Sequence, residues 1–233
     1  LWEVTIQSPR EPKNAEGRYD YKYSDLCFYM LKQIAEKQLK QPIEVFLQEQ
    51  FFEPMAMQSS TYMPLKKFSK EQITPTENDT MFRKRLVQGT VHDQGAAMLG
   101  GVGGHAGLFS TAGDLAAFMQ MYLQKGKFQG KNYFEPETIS LFTKPPFTYN
   151  RRALGWDRPD KEGISYFPAD SLCPNAYGHS GFTGCLVFAD PDQQLLFIFL
   201  SNRIYPDINT KMVSSNLRRK LLEIVYSAII KED

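Results

Sequence analysis

The stretch Gly178-His179-Ser180-Gly181-Phe182-Thr183-Gly184-Cys185-Leu186-Val187-Phe188-Ala189-Asp190 passes from a polar, glycine-punctuated segment into an apolar run. A second apolar run, Leu195 to Ser201, follows after the turn residues Asp190-Pro191-Asp192-Gln193. Gly184 to Asp190 and Leu195 to Ser201 are short, rich in valine, isoleucine and phenylalanine, and bounded by turn formers, so a β-hairpin is predicted. A two-stranded hairpin is marginal in water, so the sheet must be wider than this pair or well covered by helices. One cover comes next: Val213, Leu217, Leu221, Ile224, Val225 and Ala228 recur at helical spacing.

Towards the N-terminus the pattern turns helical. Leu26, Met30 and Ile34, with Cys27, Leu31 and Ala35, predict a helix to about Leu39, capped by Ser24 or Asp25. Gln41-Pro42 ends it and starts another through Val45, Phe46 and Phe51, because proline is tolerated in a first turn. Met55 to Gln88 has little periodicity and reads as a long ordered excursion. A short helix over Asp93 to Leu99 leads into a glycine-dense loop, Gly100 to Gly107, and Thr111 with Asp114 signals a helix carrying Leu115, Phe118, Met119 and Tyr122. Another short helix is predicted near Glu137 to Phe142, and strand character begins at Leu154. Residues 1–22, with Pro9, Pro12 and Gly17, read as an irregular lead-in. The remainder, 23–233, reads as one incomplete domain of α/β (α+β) class. It comprises a helical lobe over about 40–150, then sheet strands and a C-terminal helix over about 154–230.

The 233 residues are 42% hydrophobic and 13% aromatic, enough for a sizeable core. With 27 basic against 26 acidic residues there is no global field to attract nucleic acid or a membrane surface, and Arg83-Lys84-Arg85 and Arg218-Arg219-Lys220 read as solvated faces. No apolar run reaches the ~18 residues of a membrane span. The start, Leu1-Trp2-Glu3-Val4, has neither an initiator methionine nor a signal peptide's basic and apolar regions, so a piece of a longer protein is expected. Cys27, Cys173 and Cys185 lack CxxC spacing and adjoin apolar residues, which predicts buried free thiols.

Two short motifs carry candidate chemistry: Tyr23-Ser24-Asp25 and His179-Ser180-Gly181. Between them lie Phe52 to Thr61, with Glu53-Pro54-Met55-Ala56-Met57; Gly107-Leu108-Phe109-Ser110-Thr111-Ala112-Gly113-Asp114-Leu115; and Ala153-Leu154-Gly155-Trp156. Leu200-Ser201-Asn202-Arg203 follows the second motif. In this order, from Tyr19 onward, they resemble the serine β-lactamase and penicillin-binding-protein family, in its class C-like, esterase-type members. The resemblance implies an antiparallel sheet between helices with a helical lobe, and acyl transfer through a serine acyl-enzyme. No cofactor is implied.

That family's nucleophile sits in a Ser-x-x-Lys, and no serine of this chain has lysine three positions on; Ser215, for instance, is followed by Arg218. The first helix, first strands and nucleophile helix are therefore expected to be missing, and the chain alone to be inactive. An incomplete sheet exposes an edge, expected to be covered by the missing segment, a neighbouring copy or residues 1–22.

The resemblance assigns Tyr23 as the phenolate base, a role that needs nearby cations to stabilise an anion of normal pKa near ~10. It places Asp25, Ser180 and Gly181 on the substrate, and gives the main-chain N–H of Phe182 to the oxyanion hole. Asp25 stands where the family has asparagine, and His179 where it has lysine. A mostly neutral imidazole attracts a β-lactam carboxylate less, which favours an esterase, amidase or D-amino-acid peptidase. The expected substrate is a small-molecule ester, amide or peptide.

Other features fit less well. Gly101-Val102-Gly103-Gly104-His105-Ala106 matches a dinucleotide fingerprint formally, but follows a helix and lacks an acidic residue about 20 positions on. A close-packed loop bordering the cleft, with His105 turned to the substrate, is the alternative. His92, His105 and His179 lack ligand spacing, so no metal is expected. Ser180 has no activating base but its strand neighbour His179, on the opposite face. Val91-His92-Asp93 to Gly104-His105-Ala106 also resembles proteins in which this domain follows a family 3 glycoside hydrolase, which suggests a second function: a non-catalytic accessory module of a larger cell-envelope or fusion protein. A periplasmic or envelope location is implied by resemblance only.

Overall fold

The computed structural model describes residues 2–159 and 169–229. The chain divides into two compact units, residues 1–110 and 111–233.

In the first unit, α1 (Trp2–Gln7) departs from the irregular lead-in expected for residues 1–22. Helix α2 (Leu26–Leu39) starts where Ser24 Oγ accepts from the Leu26 amide at 3.3 Å, and closes on Lys40 in the left-handed conformation. Pro42 then opens α3 (Ile43–Leu47), which widens into a π-helical turn over Gln48–Phe52. The aperiodic stretch holds two 3-10 turns, Pro64–Lys66 and Lys70–Gln72, and an antiparallel hairpin of β1 (Pro75–Asp79) and β2 (Arg85–Gln88). The hairpin is built on polar sequence: Asp79 accepts from the amides of Met81, Phe82 and Arg83 at 2.8–3.0 Å, which fixes the turn without an apolar alternation. Helix α4 (Gln94–Met98) begins at Asp93, whose Oδ1 accepts from Ala96 N at 2.7 Å.

Helix α2 buries none of its residues, and Leu26, Leu31 and Ile34 are exposed. Cys27, expected to be buried, is exposed for the same reason, and Cys173 and Cys185 are half-buried; the three thiols are free.

The second unit contains the sheet. Thr111 caps α5 (Ala112–Leu123) through Asp114 N, as the sequence predicts. A minimal hairpin, β3 (Lys127–Phe128) with β4 (Lys131–Asn132), leads to α6 (Pro136–Thr143). The three-stranded antiparallel sheet has the order β5 (Tyr177–Ser180), β6 (Leu186–Asp190), β7 (Leu195–Phe199). Its two-residue periodicity sorts the core. Tyr177, Val187, Ala189 and Leu196 pack with Met119 and Leu123 of α5, along with Tyr122 and Trp156. Leu186, Phe188, Phe197 and Phe199 pack on the other side with Leu222 and Tyr226 of α8 (Leu217–Ser227). The predicted final helix is interrupted: α7 (Lys211–Ser214) precedes it, and Asn216 is left-handed. The α/β class with an antiparallel sheet between helices is thus realised.

Asp190 locks the β6–β7 turn to both layers. Buried, it accepts from the amides of Asp192 (3.0 Å), Gln193 (3.2 Å) and Cys173 (3.2 Å), and from the Tyr226 hydroxyl. Burial and this carboxylate together push the Tyr226 phenol well above its usual range. Asp190→Ala orphans four donors and should destabilise the chain by ~3–5 kcal/mol in urea unfolding, whereas Tyr226→Phe should cost ~1–2 kcal/mol. Equal effects would show that the turn amides contribute little.

Candidate active site

In the second unit, the sequence Gly178-His179-Ser180 ends an edge strand instead of beginning one. His179 pairs with Val187 and Ser180 with Leu186. The alternation places His179 on the α5 side, with Tyr177, and Ser180 on the α8 side, so the two side chains do not act on one point. The outer edge of β5 exchanges two backbone hydrogen bonds with Asp157: Asp157 N to Gly178 O at 2.7 Å, and Gly178 N to Asp157 O at 3.0 Å.

The Asp157 side chain organises what surrounds His179. The residue is 3% exposed, and its carboxylate accepts from Arg151 Nε at 2.7 Å and Nη2 at 3.2 Å, and from the Arg158 amide at 3.0 Å. Arg152 Nη2 lies 3.4 Å from the same carboxylate, while its Nη1 reaches His179 Nε2 at 3.2 Å. On the other side of the ring, Nδ1 is 2.8 Å from the Ser180 carbonyl, which only accepts. Nδ1 therefore carries the hydrogen, and Nε2 offers its lone pair to Arg152. A guanidinium thus stands beside the His179 imidazole. Nothing in the sequence motif pointed to Arg152, 27 residues upstream.

Three glycines frame the motif for different reasons. A Cβ on Gly178 would lie 2.1 Å from Val187 O and 2.3 Å from the Phe188 ring, and one on Gly184 would lie 2.6 Å from Ser201 Oγ at a φ of +126°. Both are required by internal packing. Gly181 is different: its nearest neighbour to such a Cβ is Cys185 Cβ at 3.7 Å, ordinary contact, and its φ is not left-handed. Phe182 follows on the exposed turn, 60% accessible, with the Arg203 guanidinium 4.4 Å from its ring centroid and Arg203 Nε donating to its carbonyl at 2.7 Å. Beneath the turn, Arg218 donates to the carbonyls of Cys185 at 3.2 Å and Gly181 at 3.4 Å.

In the first unit, Tyr23 precedes α2 and is 62% exposed. Asp25, two residues on, has a carboxylate oxygen within 4.8 Å of ligand atoms of Asp93 and His105. The structure therefore brings Asp25 and His105 together through Asp93, a residue read in the sequence as a cap. His105 is enclosed: its side chain is 6% exposed, Nε2 is 2.7 Å from Asp93 Oδ1, and Tyr29 meets it edge-on at 4.8 Å. Burial raises the Asp93 carboxyl, but the Ala96 amide and the His105 contact outweigh it and hold its pKa below the usual range. Burial and then the Asp93 and Asp25 charges push the Tyr29 phenol up. The glycine loop is close-packed: a Cβ on Gly104 would meet Phe28 O at 2.5 Å, and one on Gly107 would meet Gly101 O at 2.4 Å.

The Beta-lactamase family model matches residues 9–213, and the chain belongs to that family. An N-acetylmuramyl-L-alanine amidase of Bacillus subtilis (strain 168) is 35% identical over 193 residues, 78% of this chain and 44% of the relative. A putative D-alanyl-D-alanine carboxypeptidase of Escherichia coli (strain K12) is 29% identical over 220 residues, 89% of this chain and 51% of the relative. The chain thus spans about half the length of these curated relatives. Among solved structures, a penicillin-binding protein homologue from Caulobacter crescentus superposes with a TM-score of 0.62 at 17% identity, covering 95% of this chain and 64% of that one. Simvastatin synthase from Aspergillus terreus gives 0.61 at 14% identity, covering 90% and 56%. These two share the fold.

Gly178→Ala should lower stability by ~3 kcal/mol or more, because it drives a methyl into a strand carbonyl. Gly181→Ala should leave the thermal midpoint of this chain within a degree or two of wild type, since about 0.5 kcal/mol or less is at stake. A large stability loss at Gly181 would mean that internal packing, not access from outside, dictates glycine there.

Proposed function

We propose that this chain is part of a β-lactamase-like serine hydrolase that transfers acyl groups of ester, amide or peptide substrates through a serine acyl-enzyme. In this reading the nucleophile lies in a Ser-x-x-Lys segment outside these 233 residues. The observation that carries it is Gly181: a Cβ there would meet its neighbours only at ordinary contact distance and its backbone is not left-handed, so neither packing nor conformation calls for glycine and a substrate that approaches the strand end closely explains it. The Phe182 N–H, next in sequence, is then the oxyanion donor, and Tyr23 the base that takes the serine proton.

Arg152 refines the substrate class. The His179 ring as bonded carries no cationic hydrogen on Nε2, but a guanidinium adjoins it. A substrate carboxylate reaching this strand end would therefore meet Arg152, and fixed, fork-shaped donors suit a carboxylate. This favours a peptidase or amidase acting on substrates with a terminal carboxylate, in keeping with the names of the amidase and carboxypeptidase relatives. In this reading further chain would cover the exposed apolar stripe Leu26, Leu31, Ile34 on α2 and β7, an edge strand of the three-stranded sheet.

The absence of Ser-x-x-Lys from the chain equally suits the accessory-module reading, in which the fold is kept as a binding platform in a larger cell-envelope or glycoside hydrolase fusion protein. Translation of the DNA upstream of Leu1 separates the two: a Ser-x-x-Lys there supports the enzyme, and its absence from the gene sinks it. In a parent protein carrying that motif, Tyr23→Phe should lower kcat by about 100-fold or more. Arg152→Ala should raise KM for a D-alanyl-D-alanine peptide by about tenfold while leaving p-nitrophenyl acetate hydrolysis within about twofold. Near-normal kcat in the Tyr23 variant, or equal losses on both substrates in the Arg152 variant, would refute those assignments.

A further inference from the structure

The first unit contains a cavity of about 490 Å³, within the range of small-molecule sites. It is open to solvent and bordered by the 3-10 turn at Pro64–Lys66, the β1–β2 hairpin, and α4 with the glycine loop that follows. Its wall is mainly apolar, yet three of its large side chains stay in solvent: Leu65 is 48% exposed, Phe82 47% and Met98 60%. Gly89 shapes one wall. It is buried with a φ of +76°, and a Cβ there would lie 2.5 Å from Leu65 Cγ, so only glycine lets Leu65 lie against the strand end.

The charge of this wall has one sign. Lys66, Arg83 and Arg85 line it, and among the described residues no acidic side chain does. Arg83 is neutralised by Glu77, at 3.2 Å, and also donates to the His92 carbonyl at 2.9 Å. Lys66 and Arg85 are exposed and form no ion pair among the described residues. Two uncompensated cations beside an apolar pocket of this size complement a molecule with an apolar body and one anionic end.

We infer that this cavity binds a free single-chain anionic amphiphile, the chain lying between Leu65, Phe82, Ala97 and Met98 and the anionic head between Lys66 and Arg85. The inference is independent of the hydrolytic reading, since none of these residues belongs to the Tyr23 or His179 motif.

Calorimetric titration of the full chain below micellar concentrations provides the test, with dodecanoate, dodecyltrimethylammonium and butanoate as probes. Dodecanoate is expected to bind one to one, about tenfold or more tighter than the ammonium, and butanoate not measurably, because the tail supplies most of the burial. Lys66→Glu with Arg85→Glu should reverse the preference between the two long chains, and Ala97→Trp should abolish binding of both. Far-UV circular dichroism reports whether the variants fold; if the charge-reversed variant does not, the wild-type preference for dodecanoate over the ammonium still decides. Equal wild-type affinity for both long chains, no dodecanoate binding, or full binding by a folded Ala97→Trp variant would overturn the inference. So would binding to anionic phosphatidylglycerol vesicles that dodecanoate cannot displace, which would make the patch a membrane-contact surface instead.

Discussion

A buried carboxylate, Asp157, is the constraint on which the geometry around His179 depends. Its main chain lies along the outer edge of β5, and its side chain accepts from Arg151 and lies 3.4 Å from Arg152, so one residue sets both the strand end and the cations beside it. Desolvating a carboxylate is costly, and only the paired guanidinium and amide donors make the arrangement tolerable. Because Arg152 also reaches His179 Nε2, the imidazole is held from both nitrogens. The identity of the histidine alone therefore says little about charge recognition. The unit to consider is Asp157, Arg152 and His179 together.

This bears on the proposed role of His179, which the family resemblance sets where a lysine would stand. On the sequence alone, the missing lysine removes the cation that would attract a substrate carboxylate, and points to neutral esters as readily as to peptides. With Arg152 at 3.2 Å from His179 Nε2, the proposed function has a positive charge one side chain away from the histidine. Guanidinium also offers several donors in one plane where ammonium offers a point charge. Membership of the Beta-lactamase family gives the setting for such a site, and the amidase and carboxypeptidase names among the relatives are those of enzymes of amide bonds.

Legibility in the sequence followed the range of the forces involved. The β6–β7 hairpin was readable because its strands are continuous apolar runs around Asp190-Pro191-Asp192, and α5 because Thr111 and Asp114 cap it locally. The β1–β2 hairpin was not, since Pro75-Thr76-Glu77-Asn78-Asp79 shows no apolar alternation and its turn depends on Asp79 side-chain bonds. The stripe on α2 was visible, but its exposure was not, because spacing shows which residues share a face and not what covers it. At the site, the His-Ser-Gly motif could be found by pattern. Arg152 and Asp157 could not, because their roles arise from contacts 27 and 21 residues apart in sequence.

The most direct test of this account is the tautomer of His179, read from its ring nitrogen-15 shifts in the folded chain near neutral pH. Hydrogen is expected on Nδ1, with Nε2 accepting from Arg152, and Asp157→Asn should weaken that preference. A ring protonated on Nε2, or one whose tautomer is indifferent to Asp157, would contradict it.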